Sequence, residues 1–268
     1  MEHSHAELTQ DQLIHACVAN FLSYDEGFAI IPRNTFHKDD TFTWIIAHGA
    51  PGNAVLSTQI TDADPLPQLD TMLAFMCNNT RYGWWMVTPT CQPANLGEYL
   101  LSKGLSSTTN RPVMTLKIAN VHAPIHPATD LHIERVSTLA QHEDWFTASI
   151  GGFESTAEDG KNYGDVYAAH GFAADALFQH YVGYLNSQPV TSSTLLLSQD
   201  IAGIYDVSSI PEARGQGFGE AITRVALEDA QQRGYKYAVL QASDEGFPLY
   251  IKMGFTTLYI EENYEWRS

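Results

Sequence analysis

The stretch that most constrains this chain runs from Ile201 to Gly219, IAGIYDVSSIPEARGQGFG. Its apolar, β-branched residues Ile204, Val207 and Ile210 read as a strand ending at Pro211, which cannot donate to a sheet ladder. Gly215, Gly217 and Gly219 follow at alternate positions, and EAITRVALEDAQQRG then sets Ile222, Val225, Ala226 and Ala230 at helical spacing. Glu220 falls in the first turn, where the helix dipole favours an anion, and Gly234 stands just past the end. The sequence therefore predicts strand, glycine loop and helix, with first-turn amides free to face an acidic ligand. The loop closes with Gly219-Glu220-Ala221 rather than Gly-Lys-Ser/Thr, which excludes a nucleoside-triphosphate loop. The alternate glycines also depart from the Gly-x-Gly-x-x-Gly dinucleotide fingerprint, although Asp244 lies near the place of a ribose-binding acid.

Downstream, Tyr235 to Ala242 (YKYAVLQA) reads as a strand, and SDEGFPLYIKMGF gives a short helix closing on Met253-Gly254-Phe255. The order of Arg214-Gly215-x-Gly217-x-Gly219, strand, Ser243, short helix with Tyr250 and Gly254-Phe255 resembles the GCN5-related N-acetyltransferases, the GNAT superfamily. The resemblance covers roughly Leu131 to Trp266. Ser209 departs from it, standing five before the Arg where the family more often has an apolar residue, but the backbone there would meet the cofactor.

The resemblance implies acetyl-CoA as acyl donor, with Val207, Ser208, Ser209, Arg214, Gly215, Gln216, Gly217, Phe218, Gly219, Ser243 and Tyr250 as cofactor-binding residues. Glycines let the backbone amides approach a pyrophosphate, and the strand before the loop would splay from its neighbour, freeing amides near Val207 and Ser209 for the pantetheine arm and the thioester carbonyl. An amine would attack directly in a ternary complex, and Tyr250, matching the family's Tyr near the sulfur, is the expected general acid for the thiolate. Phe153, Glu154 and Tyr163 fall in the region that forms one acceptor wall. No general base stands out. Asp206 on the strand and Glu154 in the wall could each draw a proton through water, and an amine deprotonated in solution needs neither. A non-catalytic acyl-CoA-binding regulatory or scaffold protein is the alternative reading.

Charge narrows the partners. Thirty-one acidic residues against fourteen Lys and Arg leave a net charge of −17, which repels nucleic acid and anionic lipid. A small-molecule or peptide amine is the expected acceptor, with no nucleic acid and no membrane. Cys17, Cys77 and Cys91 form no close pair, and neither an amino-terminal signal nor an apolar run of membrane length is evident, so a cytoplasmic setting is expected. His3 and His5 in a polar tail read as solvated, His122 and His126 are separated by Pro124, and no metal is expected.

The first half reads as a helix through Leu13, Cys17, Val18 and Phe21, then strands near Phe28–Pro32, Phe42–His48 and Val55–Ile60, and a helix from Pro67 to Cys77. Tyr82 to Pro89, the helix Ala94 to Lys103 and Gly104-Leu105 then mirror Tyr235 to Ala242, Pro248 to Lys252 and Gly254-Phe255. Pro112 to Val121 reads as a further strand, and HAPIHPATD, residues 122–130, as a linker. The expected fold is α/β, two tandem GNAT-like domains, each a mixed, mostly antiparallel sheet flanked by helices. Residues 1–122 would be a degenerate domain without the cofactor loop, shaping the acceptor cleft or the contact of a homodimer, and 123–268 the catalytic domain. In the second half a strand is expected at Leu131–Val136, helices at Leu139–Ser149 and Ala168–Tyr184, a glycine-rich loop at Gly151–Gly164, and strands Pro189–Ser198 and Ile201–Ile210 joined at Gln199-Asp200. His170 and His180 would then lie in a helix.

Overall fold

The computed structural model describes residues 7–49, 51–108, 110–123, 130–198 and 201–268. The first half runs α1 (Gln10–Gly27), β1 (Thr35–Lys38), β2 (Phe42–Ile46), β3 (Ala54–Thr58), α2 (Leu66–Asn79), β4 (Tyr82–Val87), α3 (Leu96–Ser102), β5 (Ser106–Ser107) and β6 (Arg111–Lys117). The second half continues with β7 (His132–Arg135), α4 (Leu139–Gly152), α5 (Ala157–His170), β8 (Phe178–Leu185), β9 (Gln188–Ser198) and β10 (Ile201–Ser209). It closes with α6 (Phe218–Gln232), β11 (Tyr237–Gln241), α7 (Phe247–Met253) and β12 (Thr256–Arg267).

The repeat expected from Tyr82 onward is visible in full. An antiparallel run β1-β2-β3, a crossover helix α2 and the parallel strand β4 repeat as β8-β9-β10, α6 and parallel β11. A short helix and a last strand follow in each. The two sets join in one sheet, ordered β1-β2-β3-β4-β12-β6-β11-β10-β9-β8-β7, with β5 paired to β12. Each half contributes its last strand to the other's sheet. β6 pairs with β11 on one side and with Thr256–Glu261 of β12 on the other, while Glu262–Arg267 of β12 pairs with β4. The segment expected as a linker, of which 124–129 lie outside the described residues, thus follows a strand already built into the second sheet.

Helices α6 and α7 cover one face of the second-half strands, burying Ile222, Ala226, Leu227, Tyr250 and Met253 against Met114, Ala202, Ile204, Ala238 and Leu240. The first-half helix α1 covers the other face. It starts at a capping box between Thr9 and Gln12 and lays Cys17, Val18 and Phe21 on Val113, Ile201, Tyr237, Val239 and Tyr259. At about 25 cal/mol per Å² of apolar surface, such large buried side chains each contribute on the order of 1.5–3 kcal/mol. That makes α1 part of the second half's core.

Several local expectations need correction. The glycine-rich span 151–164, read as a loop, contains most of α5, because Gly160 and Gly164 pack on Phe146 of α4 where a Cβ would come within 3.1 and 3.2 Å of its ring. Close helix packing outweighs the poor helix propensity of glycine. Thr156 caps that helix by accepting from the Asp159 N–H at 3.1 Å, a Thr-x-x-Asp signal legible in the sequence. The helix expected at Ala168–Tyr184 ends at His170, with Gly171 at φ +73°, and becomes strand β8. β8 is buried on both faces, so alternation is lost and His180 lies in a strand. Phe28–Ile30 is a short 3-10 turn rather than a strand, and β1 follows it. The tip at 199–200, His126, His3 and His5 lie outside the described residues.

Candidate active site

The site begins where two parallel strands part. β10 and β11 pair only from Ile201↔Tyr237 to Gly203↔Val239, after which the ladder stops. A bulge between Tyr205 and Ser208, with Asp206 at φ +52°, marks the parting. Beyond it the Ile210 N–H donates to Val190 O at 3.0 Å on the β9 side, while Asp206 O and Ser208 O accept from the hydroxyls of Ser192 and Thr191 at 2.9 and 2.6 Å. Strand alternation therefore turns the Val207 and Ser209 amides toward the open gap.

The glycine loop stands at the end of this gap. Gly215 and Gly217 adopt φ +74° and +81°, the left-handed region, and Gly217 is the N-cap of α6. Among the described residues the amides of 215–220 donate no backbone hydrogen bond, whereas the Arg214 N–H is already bonded to Pro211 O at 3.3 Å. A Cβ on Gly215 would meet nothing within 4 Å, so the loop has an open outer side. The Phe218 side chain is buried with Val190 and Ala213 and anchors the loop from below. A row of free amides plus the helix dipole is suited to a pyrophosphate.

Helix α7 is the third wall. Leu249 approaches the Cβ position of Gly219 at 3.4 Å, which ties α7 to the start of α6. Tyr250 is buried beside Phe255, ring centroids 5.7 Å apart, and its hydroxyl makes no hydrogen bond among the described residues. Burial pushes its pKa up, so the phenol stays protonated. The Ser243 hydroxyl accepts from the Gly246 N–H at 3.1 Å, which shapes the turn into α7.

Three expected cofactor-binding residues have side chains turned elsewhere. Ser208 faces α4, its hydroxyl 2.9 Å from that of Ser192, beneath the close approach of Gly152. The Arg214 guanidinium reaches back to Gly152 O at 2.9 Å and to Glu154 at 2.8 Å. The Gln216 side chain bonds back to Glu212 O at 3.2 Å, leaving its amide as the group that faces the loop. Glu154, exposed and at φ +53°, is thereby an anchor for the loop rather than a free base. Phe153 beside it is exposed.

The bulge sends Asp206 to the face covered by α1, α4 and α5, into an aromatic enclosure that strand alternation alone would not predict. The Tyr167 hydroxyl donates to its carboxylate at 2.7 Å, and the Tyr24 hydroxyl lies 2.9 Å from that of Tyr167 and 3.5 Å from Asp206. The Tyr24 ring stacks on Tyr205 at 4.0 Å, while Tyr163 meets Phe28 edge-on at 5.0 Å. Burial raises the Asp206 pKa, opposed by the hydroxyls of Tyr167, Thr194 and Tyr24. Tyr24 comes from the first half, so both halves build this enclosure, and no local pattern in the sequence joins Tyr24 and Tyr167 to Asp206.

Next to Tyr24 on α1, Asp25 is 8% exposed, and its carboxyl has no hydrogen-bond partner among the described residues. Burial, then the charge of Glu261 on β12, pushes its pKa up to about 8. Glu261 is itself shifted upward by burial, although Gln241 and Asn263 donate to it at 2.7 and 3.2 Å. A folded pKa above the ordinary value near 4 means that the folded state holds the extra proton. Stability is then fully present below about pH 4 and is lost as pH rises through about 8. Asp25→Asn should raise the melting temperature at pH 9 by several degrees and flatten the decline between pH 5 and 9. Parallel melting curves for the variant and wild type across that range would contradict this.

The equivalent place in the first half is closed. Gln92 donates to Thr58 O at 2.9 Å and accepts from the Ile60 N–H at 3.2 Å, stitching the end of β3 to the segment after β4. At the start of α2, Asp64 accepts from the Leu66 N–H at 3.2 Å, and Asp62 bonds the side chain of Gln68. Carboxylates stand where the second half offers bare amides. Among the described residues, no helix is long and apolar enough to cross a membrane, and no His, Cys, Asp and Glu group has a metal-holding arrangement.

Residues 135–258 match the family model described as the acetyltransferase (GNAT) domain. The whole chain has the fold of GCN5-related N-acetyltransferases. It is similar to a GCN5-related N-acetyltransferase from Kribbella flavida, with TM-score 0.68 and 14% identity over 92% of this chain and 95% of that one. It is also similar to a tandem GNAT protein from the clavulanic acid biosynthesis pathway, solved without AcCoA, with TM-score 0.62 and 9% identity over 97% of each chain. A conserved protein of unknown function from Staphylococcus epidermidis superposes with TM-score 0.62 and 12% identity, over 87% of this chain and 93% of that one. No curated protein matches the chain in sequence.

Proposed function

We propose, taking a GNAT acetyltransferase domain over residues 135–258 as the premise, that the second half transfers the acetyl group of acetyl-CoA to an amine. The observation that carries this reading is the gap where β10 and β11 part, toward which alternation turns the Val207 and Ser209 amides and at whose end the amides of residues 215–220 donate no backbone hydrogen bond among the described residues. The loop amides would hold the pyrophosphate, and the strand amides the pantetheine arm and the thioester oxygen. As the amine adds to the carbonyl carbon, negative charge gathers on that oxygen, and an aimed N–H stabilises it by ~3 kcal/mol. Collapse breaks the C–S bond, and the Tyr250 hydroxyl gives its proton to the sulfur. Asp206, buried and with a raised pKa, takes up the proton lost by the amine, a role for which Glu154 is ill placed because Arg214 engages it. The stitched, acid-lined end of β3 and β4 leaves the first half without cofactor.

Titration should give one equivalent of acetyl-CoA per chain, and a panel of amino acids, polyamines, aminoglycosides and peptides should reveal release of CoA thiol. Two equivalents, or density for the cofactor among residues 7–123, would overturn the division between halves. The enclosure of Asp206 also favours a second reading, a CoA-binding protein without turnover. One bound equivalent and no thiol release with any amine would select it.

A further inference from the structure

The mechanism leaves two buried acids unused. Asp25 and Glu261 line a narrow pocket of about 10 Å³ whose other walls are Val18, Phe21, Leu22, Leu56, Met86 and Thr88. That volume is about what one water-sized group occupies. Asp25 is more than nine-tenths buried and its carboxyl has no hydrogen-bond partner among the described residues, so its oxygens open onto this pocket rather than being sealed in the core. It shares the pocket with the carboxyl of Glu261, whose charge acts on it, and the basic group whose charge reaches Glu261, Arg111, forms no ion pair with it among the described residues. The other titratable groups around the pair are Tyr163, Tyr205, Tyr259 and Cys17, none of them cationic. What the pocket lacks is a small positive donor.

Its position says what that donor belongs to. Gln241, which donates to Glu261, is the last residue of β11 at the mouth of the gap. Asp25 directly follows Tyr24, whose hydroxyl reaches Asp206, and both acids act on Tyr205 and Tyr163. The pocket thus adjoins the place where an amine would meet the thioester. We propose that it seats the second ammonium group of a diamine-type acceptor, with the carboxyls of Asp25 and Glu261 as its partners; this rests on the acyl-transfer reading. An ammonium head is close to water in size and offers three donors, which the two carboxyls can accept. Entry of the cation expels the proton that Asp25 holds at neutral pH, because two facing ionised carboxylates are tolerable only around a positive charge. The net charge of −17 draws polycations toward the protein.

Calorimetric titration of 1,4-diaminobutane into the full-length protein, with and without saturating CoA, tests this. Binding at pH 7 should release about one proton, read from buffers of different ionisation enthalpy. Asp25→Asn and Glu261→Gln should each weaken it by ~30-fold, with 1,4-butanediol giving no heat. Equal affinity in wild type and both variants, absence of proton release, or displacement by millimolar potassium chloride would overturn the site. Acetyl-CoA is titrated into the same samples. A chain that binds acetyl-CoA but not the diamine overturns this inference alone, whereas one that binds the diamine but not acetyl-CoA overturns the transfer reading and leaves the ammonium site standing.

Discussion

Gly217→Val should weaken acetyl-CoA binding by ~10²-fold or more while the far-ultraviolet dichroism stays native. Gly217 sits at φ +81° as the N-cap of α6. A β-branched residue held there costs on the order of 1–3 kcal/mol and tends to rotate the amides out of line, and its side chain intrudes where a pyrophosphate must approach. The loop is anchored independently by Phe218 beneath it and by Arg214 on Gly152 and Glu154, so the surrounding fold should survive. Calorimetry with acetyl-CoA is the check. Unchanged affinity would remove the pyrophosphate from this loop.

Tyr250→Phe should lower turnover by ~10²-fold with acetyl-CoA affinity unchanged, since it deletes only the phenolic proton that the leaving sulfur would take. The ring remains packed on Phe255 and within the cluster of Ile222, Leu240 and Met253, so stability should hold. Steady-state rates with an acceptor found in the amine panel, beside the calorimetric affinity, separate chemistry from binding. Wild-type turnover in the variant would reduce Tyr250 to a packing residue.

The strand, glycine loop and helix of the proposed cofactor site were legible because their signals are local. Pro211, the alternate glycines and the periodicity of Ile222, Ala226 and Ala230 lie in one continuous stretch, and each acts through backbone geometry. The buried acid and tyrosine enclosure was not. Tyr24, Asp25, Tyr167, Asp206 and Glu261 are scattered over the chain, and only tertiary packing brings them together. Asp206 also escapes alternation. Ala202, Ile204 and Val207 pack toward α6 and α7, but the bulge inserts an extra residue, so Tyr205 and Asp206 both turn to the opposite face. The repeat showed in the sequence from Tyr82 onward, whereas its earlier strands were blurred by the short β1 and the 3-10 turn at Phe28. Strand partners of β6 and β12 were unreadable, since burial along a strand, continuous in β6 and alternating in β12, reports which faces are covered and carries no label for the neighbouring strand.

The exchange of β6 and β12 makes the two halves a single inheritance. A cut at residue 122 would take from the second sheet the strand between β11 and β12, and from the first the strand beside β4. Neither fragment would keep its full ladder, so deletion of either half would leave the other's sheet incomplete. During synthesis the first half must wait, its β4 edge unpaired, until the last element emerges to lie along it. Each half therefore depends on the other's last strand to complete its sheet, whatever chemistry either carries.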